Sequence, residues 1–216
     1  MSDPHMAASE PTVAFDRPVP ALRLGLVVGD GETTGFIEGI AASLARSMEL
    51  RTFERSPLPR PLARSGRLQH HHLRLQLDGF MRENDALLFE WASGLLALAT
   101  RSPDSSRVPI VVRLHRYEMF TWVEHVDWRR VDAVVLVSRA MEAKLLERVP
   151  GLQGRTGVIP EAVDMRRFRP HAHPYRGHLG ILCHLIPRKR VYELILAFGR
   201  VARLRPGLHL FVCVAP

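Results

Sequence analysis

Lysine is nearly missing from this chain of 216 residues. Of its 30 basic residues only Lys144 and Lys189 are lysine, and the rest are arginine. A formal charge of +8 and a pI near 10.6 are therefore carried by planar guanidinium groups, which suit phosphate and carboxylate partners. Biased genomic base composition reads the same arginines without a partner. Aromatic residues make up only 7% and do not interleave with the basic clusters, so nucleic acid is not an expected partner. Two cysteines, Cys183 and Cys213, are too few for a disulfide framework. Each sits in an apolar run, so both are expected to be buried reduced thiols, in keeping with a cytoplasmic compartment. Residues 1–18 have no apolar core segment of the secretory kind. No apolar stretch is long enough for a bilayer, so any membrane contact, for instance at the inner face, is peripheral.

What is present is regular. Leu22–Val28 is a continuous apolar run, as a buried parallel strand requires. Glycines at 29, 31 and 35 follow it, and residues 36–48 have helical spacing. Strands are predicted at 49–54, 86–89, 109–114, 132–137 and 157–160, and helices at 67–84, 92–99, 120–130 and 138–149, the last capped by Ser138. This alternation predicts an α/β fold with a doubly wound, Rossmann-like parallel sheet. After a linker the pattern restarts with strand 179–185, helix 189–204 and strand 208–214. The expected organisation is a disordered leader (1–20), a Rossmann-like acceptor-side lobe (21–165), a linker (166–177) and the opening βαβ unit of a second Rossmann-like lobe (178–216). One βαβ unit buries little surface by itself, so the chain is expected to be an incomplete protein.

Ligands of open parallel sheets bind at the carboxyl ends of the strands. The first strand is followed there by Gly29 and Gly31, the third by Glu90, and the fourth by His115 and Glu118. Ser138 and Arg139 follow the fifth and Glu161 the sixth. The glycine loop suits a tight turn or a close backbone approach to a phosphate or sugar. A dinucleotide reading has Glu54 as its ribose-binding acid. It meets a loop one residue too long for the usual fingerprint, and no tyrosine is followed by lysine four residues on. The triplet His70-His71-His72 points in different directions on a helix and is read as a solvated face, so no metal is expected.

Four segments, in order, resemble the family-4 glycosyltransferases of the GT-B fold. Val108–His115 resembles their strand-to-histidine segment. Asp132–Met141, DAVVLVSRAM, resembles "ADAVIAVSEAM". Val158–Pro170 resembles the interdomain "VIPNGVDLERFRP", with Glu161 and Ala162 where Asn and Gly are usual. Leu179–Phe198, LGILCHLIPRKRVYELILAF, resembles "ILFVGRLVPEKGVDLLIEAF". The resemblance implies transfer, with retention, from a nucleotide-diphosphate sugar to a glycan, lipid or small-molecule acceptor, with no cofactor or metal. It implies that Lys189 holds the donor diphosphate, helped by His184, Arg188 or Arg190. His184 stands where the family has arginine, and Arg190 where it has glycine. It further implies that His115 contacts the transferred sugar, with Gly29, Gly31, Glu90 and Glu118 on the acceptor and sugar side. The family's second-lobe glutamate pair lies beyond this sequence, so the chain alone is not expected to catalyse transfer. A different class of reading, a non-catalytic lobe docking through the basic segment 55–67, stays open, as does, less favoured, an NAD(P)-binding protein.

Overall fold

The structure is a computed structural model that describes residues 22–29, 35, 37–60, 62–166, 168–169 and 176–214. The chain divides into two compact units, Met1–Ala162 and Val163–Pro216.

The first unit is built on six parallel strands: β1 (Arg23–Val28), β2 (Glu49–Thr52), β3 (Ala86–Glu90), β4 (Ile110–Leu114), β5 (Ala133–Leu136) and β6 (Thr156–Val158). Their order in the sheet is β2-β1-β3-β4-β5-β6. The chain moves outward from β1 to β2, then crosses back to β3 on the other side of β1. That reversal opens a crevice at the carboxyl ends of β1 and β3. The apolar strand runs are buried as parallel strands must be: Val27, Leu87, Phe89, Ile110, Val112, Leu114 and Leu136 have no exposed surface.

The connecting helices are α1 (Glu38–Leu44), α2 (Gly66–Glu83), α3 (Gly94–Ala99) and α4 (Arg139–Arg148). Ser65, Ser93 and Ser138 each cap a helix, accepting from the amides of Leu68, Leu95 and Met141. Leu77 and Met81 of α2, Leu95 and Leu96 of α3, and Met141 and Leu145 of α4 belong to the core. At the amino edge of the sheet, Arg23 grips Asp85 through Nε at 3.1 Å and Nη2 at 2.7 Å. Hydrogen bonds from the Arg23 side chain and amide lower the Asp85 carboxyl to about 2. The grip joins the starts of β1 and β3 at the edge opposite the crevice.

The doubly wound α/β class read from the sequence is the observed one. Segment 120–130 differs. In place of a helix it forms short 3-10 turns, Glu118–Phe120, Val123–His125 and Trp128–Arg130. The buried Trp128 indole donates to the Val123 carbonyl at 2.6 Å, and the Asp127 carboxylate accepts from the Arg129 amide. Both side chains thereby take backbone groups that a continuous helix would pair internally.

The second unit is a parallel pair, β7 (His178–Cys183) and β8 (His209–Val214), joined by α5 (Val191–Leu204). Cys183 is half-buried and Cys213 exposed, against the expectation that both are buried. The reason is that a two-stranded sheet with one helix leaves much of its own surface bare. Leu182, Phe211 and Val214 of the strands and Leu204 of α5 are exposed with them. Helix α5 begins at Val191, two residues later than the spacing predicts, because Pro187–Lys189 forms a 3-10 turn ahead of it. Among the described residues no helix is long and apolar enough to cross a membrane.

Gly25 in β1 shows how tightly α2 lies on the sheet. A Cβ there would stand 2.7 Å from Leu87 Cδ2, 2.7 Å from Phe80 Cε1 and 3.0 Å from Asn84 Cγ. Gly25→Ala is expected to destabilise the first unit by about 1–3 kcal/mol, the usual cost of overpacking, as measured by urea denaturation. An unchanged midpoint would mean that α2 yields freely.

Candidate active site at the strand ends

The strand register assembles the first half of the site. Glu90, last in β3, pairs across the ladder with Arg113 of β4. The Gly29 amide donates to the Glu90 carbonyl at 3.1 Å, and the Trp91 amide to the Arg113 carbonyl at 3.1 Å. The ends of β1, β3 and β4 are thus locked together beside the crevice.

Four side chains close a ring on this base. Arg113 donates from Nη1 to Glu90 Oε1 at 2.6 Å and from Nη2 to Glu161 Oε2 at 2.7 Å. His115 Nε2 meets the same Glu90 oxygen at 2.8 Å, and its Nδ1 lies 3.6 Å from Glu161 Oε1. The Glu90 side chain has 0% exposure, whereas that of Glu161 has 44%. One carboxylate is therefore structural, and the other forms the rim. A buried carboxylate is tolerated only beside a close positive partner, which Arg113 supplies, and His115 Nε2 makes a second polar contact to the same oxygen. Glu90 Oε2 is buried with no hydrogen-bond partner among the described residues.

Two further features fix the imidazole. Trp91 stacks on His115 with ring centroids 4.1 Å apart and planes at 23°. To do so Trp91 adopts φ 78, a left-handed backbone conformation that is costly for a bulky residue and recurs at functional sites. Glu118 Oε1 accepts from the amides of Ala92 and His115, both at 3.3 Å. Burial raises the Glu118 carboxyl above its ordinary value, against the lowering pull of those amides and of His115. Its Oε2 is likewise buried and has no hydrogen-bond partner among the described residues.

The structure thus brings Gly29, Glu90, His115 and Glu118 to one edge of one sheet. Glu90 and Glu118 are buried, the first against the His115 ring and the second against the His115 amide. Gly31 lies outside the described residues. Sequence reasoning passed over Arg113, and placed Trp91 and Glu161 at strand ends without giving either a role. The signal for Arg113 was a charge inside the otherwise apolar strand Ile110–Leu114, which is stable only beside a buried acid.

The second group of predicted residues lies in the other unit, on the segment that follows β7. His184, Arg188, Lys189 and Arg190 are all exposed there. Arg190 has φ 53, in the left-handed region, and is the residue preceding α5. Its Nε donates to Glu193 at 3.1 Å. No ion pair engages Arg188 or Lys189 among the described residues. His72, of the histidine triplet, meets the Ser56 carbonyl and Gln76 and shares no ligand geometry with its neighbours. Among the described residues no cluster of histidine, cysteine or carboxylate side chains has the arrangement to hold a metal.

Two cavities of the first unit lie away from these strand ends. One of 440 Å³ between α2 and α3 is lined by His70, Leu95, Trp122 and His125 among others. Another of 290 Å³ lies between residues 55–58 and α2. Neither includes His115, and the strand ends are marked by buried charge and backbone strain.

No protein-family model and no curated protein matches the chain. Solved structures do. One is the UDP-GlcNAc 2-epimerase from Methanocaldococcus jannaschii, with a TM-score of 0.54 and 6% identity over 90% of this chain and 66% of that one. At that identity the likeness is one of fold, and it defines the class: a Rossmann-like α/β protein with a six-stranded parallel sheet and a second, smaller parallel sheet. The chain spans about two thirds of the length of that structure, at 66%.

Glu118 offers a pH test of the site. Its proton is held more tightly in the folded chain than in the unfolded one, because burial disfavours the charged form. The stability this gives is complete below the ordinary value of 4.5 and is lost as pH rises through the raised folded value. Glu118→Gln cannot ionise and lacks that loss. The difference in unfolding free energy is therefore expected to move in the variant's favour as pH rises above the ordinary value of 4.5. A pH-independent difference in denaturation experiments would contradict the burial described here.

Proposed function

We propose that this chain forms part of a glycosyltransferase that takes a sugar, with retention, from a nucleotide-diphosphate donor. The observation that carries this reading is the conformation of Arg190. The resemblance in segment 179–198 aligns Arg190 with a glycine, and the backbone there is left-handed, the conformation glycine adopts most readily. A non-glycine residue holding that conformation supports a retained turn shape in which the side chain alone has changed. The turn precedes α5 and carries Lys189, Arg188 and His184 in one short segment after a parallel strand. In this reading Lys189 neutralises the departing diphosphate, and His115, held by Glu90 and stacked on Trp91, meets the sugar. Preorganised charge at the leaving group is the chief means of accelerating such a transfer, and no cofactor or metal enters the step. The nucleotide sugar is the co-substrate, and a glycan, lipid or small molecule is the acceptor. Work at the inner face of a membrane, by peripheral contact, is compatible with the basic loop around residues 55–67.

A second reading is nucleotide-sugar epimerisation, favoured by the fold shared with a UDP-GlcNAc 2-epimerase. The two separate in one assay. Whole protein incubated with a nucleotide sugar but no acceptor yields an epimer only under the second reading.

For the transferase, Lys189→Ala in the full-length protein is expected to weaken donor binding and to lower the transfer rate by a factor of about 10² to 10³. Lys189→Arg is expected to recover part of the loss, because a planar fork replaces a compact charge incompletely. Calorimetry with the nucleotide sugar and a transfer assay check both. Unchanged affinity and rate in Lys189→Ala would remove the diphosphate role.

A further inference from the structure

We infer that the 440 Å³ cavity between α2 and α3 binds a free single-chain amphiphile, an aliphatic body ending in one carboxylate. Its volume falls within the range of about 300–1,000 Å³ usual for small-molecule sites. Helical spacing brings the lining together. His70, Leu73 and Arg74 stand three and four residues apart on one face of α2, and Gly94, Ala97, Leu98 and Arg101 form a stripe along α3 and just past its end. Leu73, Leu95, Ala97 and Leu98 make the walls apolar from both helices. Trp122, half-buried ahead of the turn Val123–His125, adds a further apolar wall. Gly94 lets that indole come close, since a Cβ there would stand 3.2 Å from Trp122 Cη2. The His125 ring meets the indole edge-on, with centroids 5.6 Å apart and planes at 69°.

The polar part of the lining is of one sign. His70, Arg74, Arg101 and His125 are all exposed, and among the described residues no carboxylate lines the cavity. Arg74 Nε lies 3.8 Å from Asp78 Oδ2, so its charge already has a partner one turn along α2. Arg101 differs. Its Nη2 donates to the His125 carbonyl at 3.1 Å, and it pairs with no carboxylate among the described residues. A carbonyl orients a guanidinium without neutralising it. One uncompensated guanidinium beside leucine walls calls for one negative charge on an apolar body, and a carboxylate fits its planar fork. Branched aliphatic side chains on two helices suit a flexible chain. A nucleotide diphosphate, with several charges and a polar ribose, matches neither the single charge nor the walls.

The inference does not rest on the transferase reading, whose residues lie at the strand ends and in the other unit. Its test uses the whole chain and calorimetric titration with decanoate and, separately, acetate. Decanoate is expected to bind at one site, and acetate at least tenfold more weakly, because acetate lacks the body that the walls cover. Arg101→Gln keeps a donor for the His125 carbonyl at an exposed position, so it is expected to fold, and to weaken decanoate by about five- to tenfold. Arg46→Gln is the control for net charge, since Arg46 is exposed beyond α1 and donates to Ser43 Oγ at 2.9 Å. Its affinity for decanoate is expected to equal that of the unaltered chain. Equal affinities for decanoate and acetate would overturn the proposal, as would the same loss in both variants. Sedimentation with phosphatidylglycerol vesicles in the absence of any binding of free decanoate would assign the cationic residues to a bilayer surface and overturn it equally.

Discussion

A carboxylate with no access to water governs the first unit of this protein. Glu90 sits at the end of a strand whose other residues are apolar, and its charge is met by Arg113 and His115 at 2.6 and 2.8 Å through a single oxygen. Breaking such a buried pair from one side typically costs about 3–5 kcal/mol, because the abandoned charge stays buried. The three residues therefore constrain one another, and through them the ends of β3 and β4 are held in a fixed register. Trp91 can persist in its left-handed conformation because this surrounding structure determines the position of the ring it stacks against.

The strand order gives this cluster its meaning. Reversal of the winding between β1 and β3 leaves the crevice there unblocked by a crossover connection, and the cluster lies on its rim. A buried charge in the middle of the sheet would be a liability. The same charge at a carboxyl edge fixes a histidine where a ligand can reach it. The opposite edge carries the Arg23–Asp85 grip, which is exposed and serves only to join two strand starts.

Much of this was legible in the sequence, because its signals were local. Apolar runs separated by helical spacing gave the parallel sheet, Ser138 marked the start of α4, and His115 fell at a strand end where chemistry belongs. What stayed hidden depends on register or on competition for backbone groups. Nothing local says that Glu90 stands opposite Arg113, although a charge in each of two buried strands was a hint. The turns of residues 118–130 were hidden because Met119, Val123, Val126 and Trp128 are buried at nearly helical spacing, while the Trp128 indole and the Asp127 carboxylate decide the backbone path. The apolar runs at Cys183 and Cys213 predicted burial, but burial also needs neighbours on both faces of a sheet. Among the described residues the two-stranded pair of the second unit does not supply them.

The central proposal is that the segment after β7 takes the diphosphate of a nucleotide-sugar donor. Nuclear magnetic resonance of full-length protein carrying nitrogen-labelled histidine tests it directly. Titration with a nucleotide diphosphate is predicted to shift the His184 ring alone. The proposal is contradicted if the nucleotide diphosphate leaves the His184 ring unmoved while His70 or His125, lining the cavity between α2 and α3, responds.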